Sequence, residues 1–332
     1  MTIAMDTPDS PSIPCHLCCG ACHPVQHGLF DDRFGAPGTY AILRCAACGL
    51  EQTWPRLPAP VLTEYYHRYY NAGMAPGSAY RRRREGFLNS PLYRLWLRWD
   101  GDFAFHLRQG RGRLLDVGCN EGRGLAIFAQ NGFAAEGLEI NPEAAALARQ
   151  RGFTVHGQPV EDFAPGAPYE VVVLSQVLEH APEPLDMLRR VRECLAPRGE
   201  LWLACPNAKS LWRRVFGRAW VNWHVPYHLW HFTPATLTRL LHQAGFEVTE
   251  LITLTPAVWL AQSLWLALAS RPGGHNRLIR TAPGTAALML AARLFILPWF
   301  RQAHRQGRGD CLVLTARPLP SIRQGNYGAR AS

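Results

Sequence analysis

From residue 113 onward, short apolar runs alternate with amphipathic stretches. Apolar runs of strand length fall at Arg113–Val117, Ala134–Ile140, Phe153–His156, Tyr169–Ser175, Glu200–Cys205, Phe246–Leu254 and Asp310–Arg317. Between them, 3.6-residue periodicity predicts helices over Leu125–Asn131, Pro142–Arg151, Leu185–Leu195 and Pro234–Ala244. Asn141-Pro142 reads as a cap followed by a first-turn proline, and Gly245 as a helix stop. Strands alternating with helices imply an α/β fold, a mostly parallel sheet covered on both faces. Upstream, Thr39–Arg44 reads as a strand, the run LTEYYHRYY as an aromatic helix stopped at Asn71-Ala72-Gly73, and Pro91–Leu107 as a helix packed on the sheet.

The stretch LLDVGCNEGRG organises the rest. It reads as a strand ending in Asp116, a turn spaced by Gly118 and Gly122, and a helix start. Glycines let the backbone approach a ligand closely, and the helix N-terminus directs unpaired N–H groups at it. Such a turn also serves nicotinamide dehydrogenases and plain tight turns. Glu139, at the end of the next strand, sharpens the reading, because an acid there can accept both ribose hydroxyls of an adenosine-type ligand.

Asp116-Val117-Gly118-Cys119-Asn120-Glu121-Gly122 resembles the glycine-rich motif of Rossmann-like S-adenosylmethionine-dependent methyltransferases. Asn120 replaces the usual middle glycine, and Asn is the side-chain-bearing residue that best tolerates positive φ. The resemblance implies that Asp116, Gly118, Asn120 and Gly122 face the cofactor and Glu139 takes its ribose. It further implies that Ile140 packs on adenine, that Val160, Glu161 and Asp162 read the adenine edge, and that Gln176 lies under the sulfonium. Glu161 and Asp162 read equally as a solvated acidic pair.

Composition changes the picture at the N-terminus. Six of the ten cysteines precede residue 50, and Cys15-x-x-Cys18 and Cys45-x-x-Cys48 form two knuckles suited to one tetrahedral Zn²⁺. Cys19 and Cys22 offer a competing first pair; Cys15 and Cys18 match the second knuckle better, with Leu17 inside. Four protein ligands leave no open position, so this metal is expected to be structural. Scattered cysteines elsewhere and no visible signal peptide point to a reducing, cytoplasmic setting.

With the ribbon included, the resemblance extends to bacterial methyltransferases carrying an N-terminal zinc-binding domain, often associated with sugar modification. It rests on CGLEQTWPR, GLEINPEAAALAR, VLEHAPEP, CPNAKSLWRRVFG and VPYHLWHFTPATLTRLLHQAGF, in that order. It implies that the last two strands form an antiparallel hairpin at the sheet edge. The expected division is a tail (1–10), a zinc ribbon (11–53) and a helical linker (54–110). A methyltransferase domain (111–254 with 310–317), an apolar basic helical insertion (255–309) and a tail (318–332) follow.

Candidate bases for a hydroxyl acceptor are His180, His228 and His231, each with a structural alternative. Glu179, His180 and His228 also match three of four metal-binding positions of plant small-RNA methyltransferases; Gln176 stands where their first Glu is. Charge is uneven. Basic against acidic residues number 11 to 9 over 1–110, 14 to 15 over 111–250 and 10 to 1 over 251–332. A near-neutral catalytic region argues against nucleic acid as the partner, although Arg81–Arg84 offers a contact. Ala257–Ser270 and Ala282–Phe300 are apolar and flanked by arginines, which suits in-plane contact with an anionic membrane as well as packing within the protein. The function expected is methyl transfer to a sugar or other small-molecule or lipid-linked hydroxyl. An RNA methyltransferase and a non-catalytic zinc-ribbon adaptor at a membrane are the alternatives.

Overall fold

Alternation of strand and helix builds a seven-stranded sheet in the computed structural model, which describes residues 13–70, 85–272 and 282–320. The ribbon strands are β1 (Ile13–Pro14), β2 (Ala21–Leu29), β3 (Tyr40–Cys45) and β4 (Glu51–Trp54). Helices α1 (Ala59–Arg68) and α2 (Pro91–Asp100) lead to β5 (Arg113–Val117), α3 (Arg123–Gln130), β6 (Ala134–Leu138), α4 (Pro142–Gln150) and β7 (Val155–His156). Then come β8 (Tyr169–Ser175), α5 (Pro184–Cys194), β9 (Leu195–Pro206), α6 (Leu211–Phe216), β10 (Trp230–His231) and α7 (Pro234–Gln243). The chain closes with β11 (Phe246–Leu254), α8 (Ala257–Ala269), α9 (Ala282–Arg305) and β12 (Cys311–Pro318).

The sheet order is β11-β12-β9-β8-β5-β6-β7. Strands β9, β8, β5, β6 and β7 pair in parallel, while β12 runs antiparallel between β9 and β11. This is the Rossmann-like arrangement expected, with the final strand reversed. The central strands β5 and β8 are almost wholly buried because helices cover both faces.

Three boundaries differ from expectation. Helix α2 stops at Asp100, not Leu107, because Asp102 folds the chain into a turn by accepting the amides of His106 and Leu107 (3.0 and 2.6 Å). Strand β9 begins at Leu195, directly after α5, where a loop was expected. Strand β12 runs to Pro318, so the C-terminal tail starts later than expected. The N-terminal tail, the helix stop at residues 71–73, Arg81–Arg84 and residues 321–332 lie outside the described residues.

The ribbon is not the separate unit that residues 11–53 implied. Strand β4 pairs antiparallel with β10, which comes from the far side of the sheet, so the ribbon sheet has five strands in the order β1-β2-β3-β4-β10. Cys15, Leu43, Leu50 and Leu62 share one buried cluster with Tyr227, Trp230, Leu188 and Leu240. Burying that common face joins ribbon and sheet into one core.

The apolar insertion also packs inward. Arg293, in the middle of α9, is buried; its Nε donates to Asp100 Oδ1 (2.6 Å) and its Nη2 to the carbonyls of Asp100 (2.6 Å) and Thr255 (2.7 Å). A buried guanidinium paired with a buried carboxylate ties α9 to α2 and to the end of β11; removing one partner of such a pair costs about 3–5 kcal/mol. Among the described residues, no single helix is long and apolar enough to cross a membrane, and α9 bends by 75° between Gly284–Ile296 and Trp299–Arg305.

Candidate active site

The turn after β5 is shaped by its glycines. Gly118 has φ +72°, and a Cβ there would come within 2.9 Å of Val177 Cγ2, at the carboxyl end of β8. Gly122 has φ +73°, and a Cβ would collide with Ala148 of α4 at 2.8 Å. Asn120 takes φ +52° between them, supplying the positive φ that the middle glycine usually provides. Gln176 (+60°), just after β8, and His224 (+39°), before β10, are further side-chain-bearing residues with positive φ. Strain of this kind concentrates where a site demands a particular backbone path.

Glu139 reaches back across this turn. Its Oε2 accepts the Asn120 amide (2.9 Å) and its Oε1 the Asn141 amide (2.7 Å). Burial pushes its carboxyl upward against those bonds. Asp116, under the turn, is raised to about 7 by burial and then by Glu139. Ile140 leaves 70% of its surface exposed beside Glu139, an apolar platform at the strand end. Glu161 and Asp162 are exposed in a short 3₁₀ turn; Val160 turns into the core, so its side chain cannot face a ligand as expected. Gln176 donates from its amide to Cys311 Sγ (3.6 Å) at the carboxyl end of β8.

Across the crevice, Glu179, His180, His224 and His228 gather. Glu179 is fully buried, neither carboxyl oxygen has a partner among the described residues, and burial raises it to about 8. His228 Nε2 lies 3.9 Å from Glu179 Oε1. One ligand atom from each of Glu179, His180 and His228 lies within 4.8 Å of the others. His228 Nδ1 faces the Asn222 carbonyl (2.9 Å) and His180 Nδ1 that of Tyr227 (3.0 Å). A carbonyl only accepts, so this network assigns the proton to Nδ1 and leaves each Nε2 a lone pair, that of His228 facing His224 Nδ1 at 3.3 Å. Burial holds both imidazoles below their ordinary value of 6.5, His180 at about 4, so both are neutral at pH 7.

His231, the third expected base, is not in this group. It sits on β10 against the ribbon, its Nε2 3.0 Å from Thr53 Oγ1 and its ring on Trp223 (5.4 Å). The pairing of β10 with β4 directs it there. His224, Tyr66 and Tyr70 were missed as site residues; the available signal was the density of histidines over 224–231 and of tyrosines over 65–70. Tyr66 places its hydroxyl 2.9 Å from His180 Nδ1. Tyr70, stacked on His224 at 5.6 Å, is raised to about 12 by burial against the lowering charge of Arg33, with Glu179 and Glu139 adding to the rise.

Several buried histidines give the fold an acid limit. His231 is held at about 3, and His180 and His106 at about 4, by burial. Each folded value lies below 6.5, so their contribution is complete above that pH and is lost as the pH falls through 6.5 toward 4. Glu179 at about 8 and Asp116 and Asp32 at about 7 act in the opposite sense, being protonated in the fold and ionised when unfolded. The melting temperature is therefore expected to rise from pH 8 to 7 before the histidine loss sets in below pH 6.5. A melting temperature constant to pH 5 would contradict this account.

In the ribbon, the four expected sulfurs come together. Cys15, Cys18, Cys45 and Cys48 place their Sγ atoms within 4.8 Å of one another, with Cys15–Cys48 and Cys18–Cys45 both at 3.5 Å. Tetrahedral Zn–S bonds of about 2.3 Å require S–S separations of about 3.8 Å, so the cluster is compatible with a zinc ribbon. Cys19 is exposed, and Cys22 lies beside the cluster, paired in register with Cys45.

Comparison with known proteins agrees with this geometry. A family model described as a methyltransferase domain matches residues 80–251, just over half of the chain. A probable S-adenosylmethionine-dependent methyltransferase of Mycolicibacterium smegmatis is 32% identical over 167 residues, covering 48% of this chain and 60% of that protein. A ubiquinone biosynthesis O-methyltransferase of Aeromonas salmonicida is 28% identical over 153 residues, covering 42% of this chain and 64% of its own length. The chain thus spans under two thirds of these two relatives. Among solved structures, the Burkholderia thailandensis 1,6-didemethyltoxoflavin-N1-methyltransferase with bound S-adenosylhomocysteine is 18% identical, with a TM-score of 0.44 over 84% of this chain and 96% of that one. With the family model matched over the glycine turn and the strands beside it, the chain belongs to the methyltransferase-domain family.

Proposed function

We propose that the protein methylates a hydroxyl of a small-molecule or glycan acceptor, with His228 and His180 as the proton-accepting side of the crevice. The observation that carries this reading is the pair of neutral imidazoles, each with Nδ1 turned to a carbonyl and a lone pair on Nε2, beside the buried Glu179. Relatives named ubiquinone biosynthesis O-methyltransferase support oxygen as the methylated atom.

The residues present fit the cofactor. Gly118 and Gly122 hold the turn open, Asn120 completes it, Glu139 takes the ribose, and exposed Ile140 offers a face to adenine. Asp116 supports the turn from below, the Val160–Asp162 backbone and the Asp162 side chain border the adenine edge, and Gln176 borders the methionine end. Bound there, S-adenosylmethionine supplies an activated methyl group on a good leaving group. The chain aligns the acceptor, excludes water and takes the hydroxyl proton at a histidine Nε2. The ribbon would hold one structural Zn²⁺ on Cys15, Cys18, Cys45 and Cys48.

His228→Ala is expected to lower kcat about 100-fold, the usual worth of a general base, while S-adenosylhomocysteine binding stays within threefold. Mass spectrometry of products from paired hydroxyl and amine acceptors checks the atom methylated. Methylated amines alone, or unchanged kcat in both His180→Ala and His228→Ala, would overturn the reading.

A second reading has a divalent cation held by Glu179, His180 and His228, favoured by the two unpartnered carboxyl oxygens of Glu179. Gln176 does not join that group, since its amide meets Cys311. Turnover restored by Mn²⁺ or Mg²⁺ after chelation under conditions that retain zinc distinguishes the two.

A cytoplasmic protein touching the inner face of the membrane remains part of the proposal. Leu294, Phe295 and Trp299 of α9 are each at least 60% exposed, and Arg301 and Arg305 are exposed beyond them. Sedimentation with anionic vesicles, weakened by Phe295→Ser, tests that contact.

A further inference from the structure

Arg33 belongs to the ribbon, in the connection between β2 and β3, yet it points into the histidine side of the crevice. Its Nη2 donates to the Val221 carbonyl (2.7 Å), and its Nη1 lies 3.5 Å from His224 Nδ1. Its Nε is buried and has no partner among the described residues. Among those residues, no carboxylate oxygen lies within 4.0 Å of the guanidinium.

The neighbouring acids do not fill that gap. Asp31 is occupied locally: its oxygens accept the backbone amides of Arg33 and Phe34 (3.0 Å each) and Ala36 (2.9 Å). Asp32, raised to about 7 by burial and lowered in turn by Arg33, is the main counter-charge acting on the guanidinium but forms no ion pair with it. Asp32 and Asp31 act on the half-buried guanidinium through space, but neither makes an ion pair with it, so its remaining N–H donors are left without an anion in contact. A role confined to bracing the Val221 carbonyl would use one N–H of five.

Aromatic rings surround the guanidinium. Phe34 lies 5.2 Å from the Tyr70 ring, which stacks on His224 at 5.6 Å and 24°. Tyr227 packs against Tyr70 (5.0 Å) and His224 (5.2 Å). The positive charge of Arg33 acts on His180, His224 and His228 alike, so cation and imidazoles share one space. His224 Nδ1 is in turn 3.3 Å from His228 Nε2, which sets the cation two contacts away from the proposed base.

We propose that Arg33 is the anchoring cation of the acceptor site, and that the acceptor carries a carboxylate or phosphate besides the group methylated. This rests on the acceptor lying on the histidine side, as argued above. The Nε–H and an adjacent terminal N–H present the planar fork that both anions accept, with the aromatic rings holding the body of the acceptor. The ribbon therefore contributes specificity to the site.

The test is calorimetry on the full-length, zinc-loaded protein saturated with S-adenosylhomocysteine, at low salt. Probes are catechol against 3,4-dihydroxybenzoate and glucose against glucose 1-phosphate, so the two arms separate carboxylate from phosphate. At least one anionic probe is expected to bind tenfold or more tightly than its neutral partner. Arg33→Gln should erase that preference and Arg33→Lys retain part of it, with S-adenosylhomocysteine affinity unchanged in both. A merely bracing Arg33 would not alter the ratio of anionic to neutral affinity. No preference in the wild type, or one that survives Arg33→Gln, overturns the proposal. Product analysis showing a methylated amine would end the hydroxyl reading while leaving the charge preference standing.

Discussion

Glu139→Ala is expected to weaken S-adenosylhomocysteine binding by about 100-fold, with the fold retained. The carboxylate accepts two amides, Asn120 at 2.9 Å and Asn141 at 2.7 Å, which pins the turn after β5 to the start of α4. Hydrogen bonds to a charged group contribute about 1.5–3 kcal/mol each, and about 2.8 kcal/mol corresponds to a hundredfold in affinity. Alanine removes the proposed ribose acceptor and leaves both amides to water, so the turn loses its bound shape as well as a contact. Calorimetry gives the affinity and a melting curve confirms the fold. A change below threefold in a folded variant would remove Glu139 from the site. Gly118→Ala should act in the same direction through the backbone, because φ is +72° and the added Cβ meets Val177 at 2.9 Å. Positive φ alone costs about 1–2 kcal/mol for a residue with a side chain.

Cys45→Ser is expected to eliminate bound zinc and lower the melting temperature by about 10 °C, with loss of turnover. The four sulfurs leave no position for substrate, so the effect is structural. Zinc binding in small domains is folding free energy, apparently about 10–16 kcal/mol in finger peptides. Here part of that is offset because the ribbon also shares a core with the sheet. A remaining loss of about 4 kcal/mol corresponds to roughly 10 °C for a domain of this size. Unlike an isolated finger, this ribbon carries β4, whose pairing with β10 positions the segment bearing His224 and His228. Metal analysis should give one zinc per chain in the wild type and none in the variant. Cys19→Ser, at an exposed thiol, should change neither metal content nor melting temperature. A wild-type protein free of metal with the same melting temperature as Cys45→Ser would refute the zinc assignment.

Much of the architecture was legible because its determinants are local. Period-two and period-3.6 patterns depend only on neighbouring residues, and they placed β5, β11 and α4 within two residues of their observed ends. The glycine turn was legible for the same reason. Positive φ at Gly118, Asn120 and Gly122 is a property of those residues themselves. The pairing of Cys15 and Cys18 with Cys45 and Cys48 followed from matched spacing on two tight knuckles.

The acceptor side was not legible, since it depends on which distant segments share a surface. His228 and His231 stand three residues apart in the chain, yet β10 turns His231 onto Thr53 of the ribbon while His228 meets Glu179. Arg33 carried no motif at all; the ribbon's docking on the sheet brings it within 3.5 Å of His224. Arg293 shows the same limit in the insertion. In sequence it was a charge interrupting an apolar run, and only the partner Asp100, nearly two hundred residues earlier, explains how it is buried. The chain by itself determined the sheet, the methyl-donor turn and the cysteine knuckles, because each is written in short-range spacing and backbone preference. Tertiary structure alone decided which histidines meet, where the ribbon docks and which cation lies beside them, because burial and long-range pairing select among side chains that look equivalent in sequence.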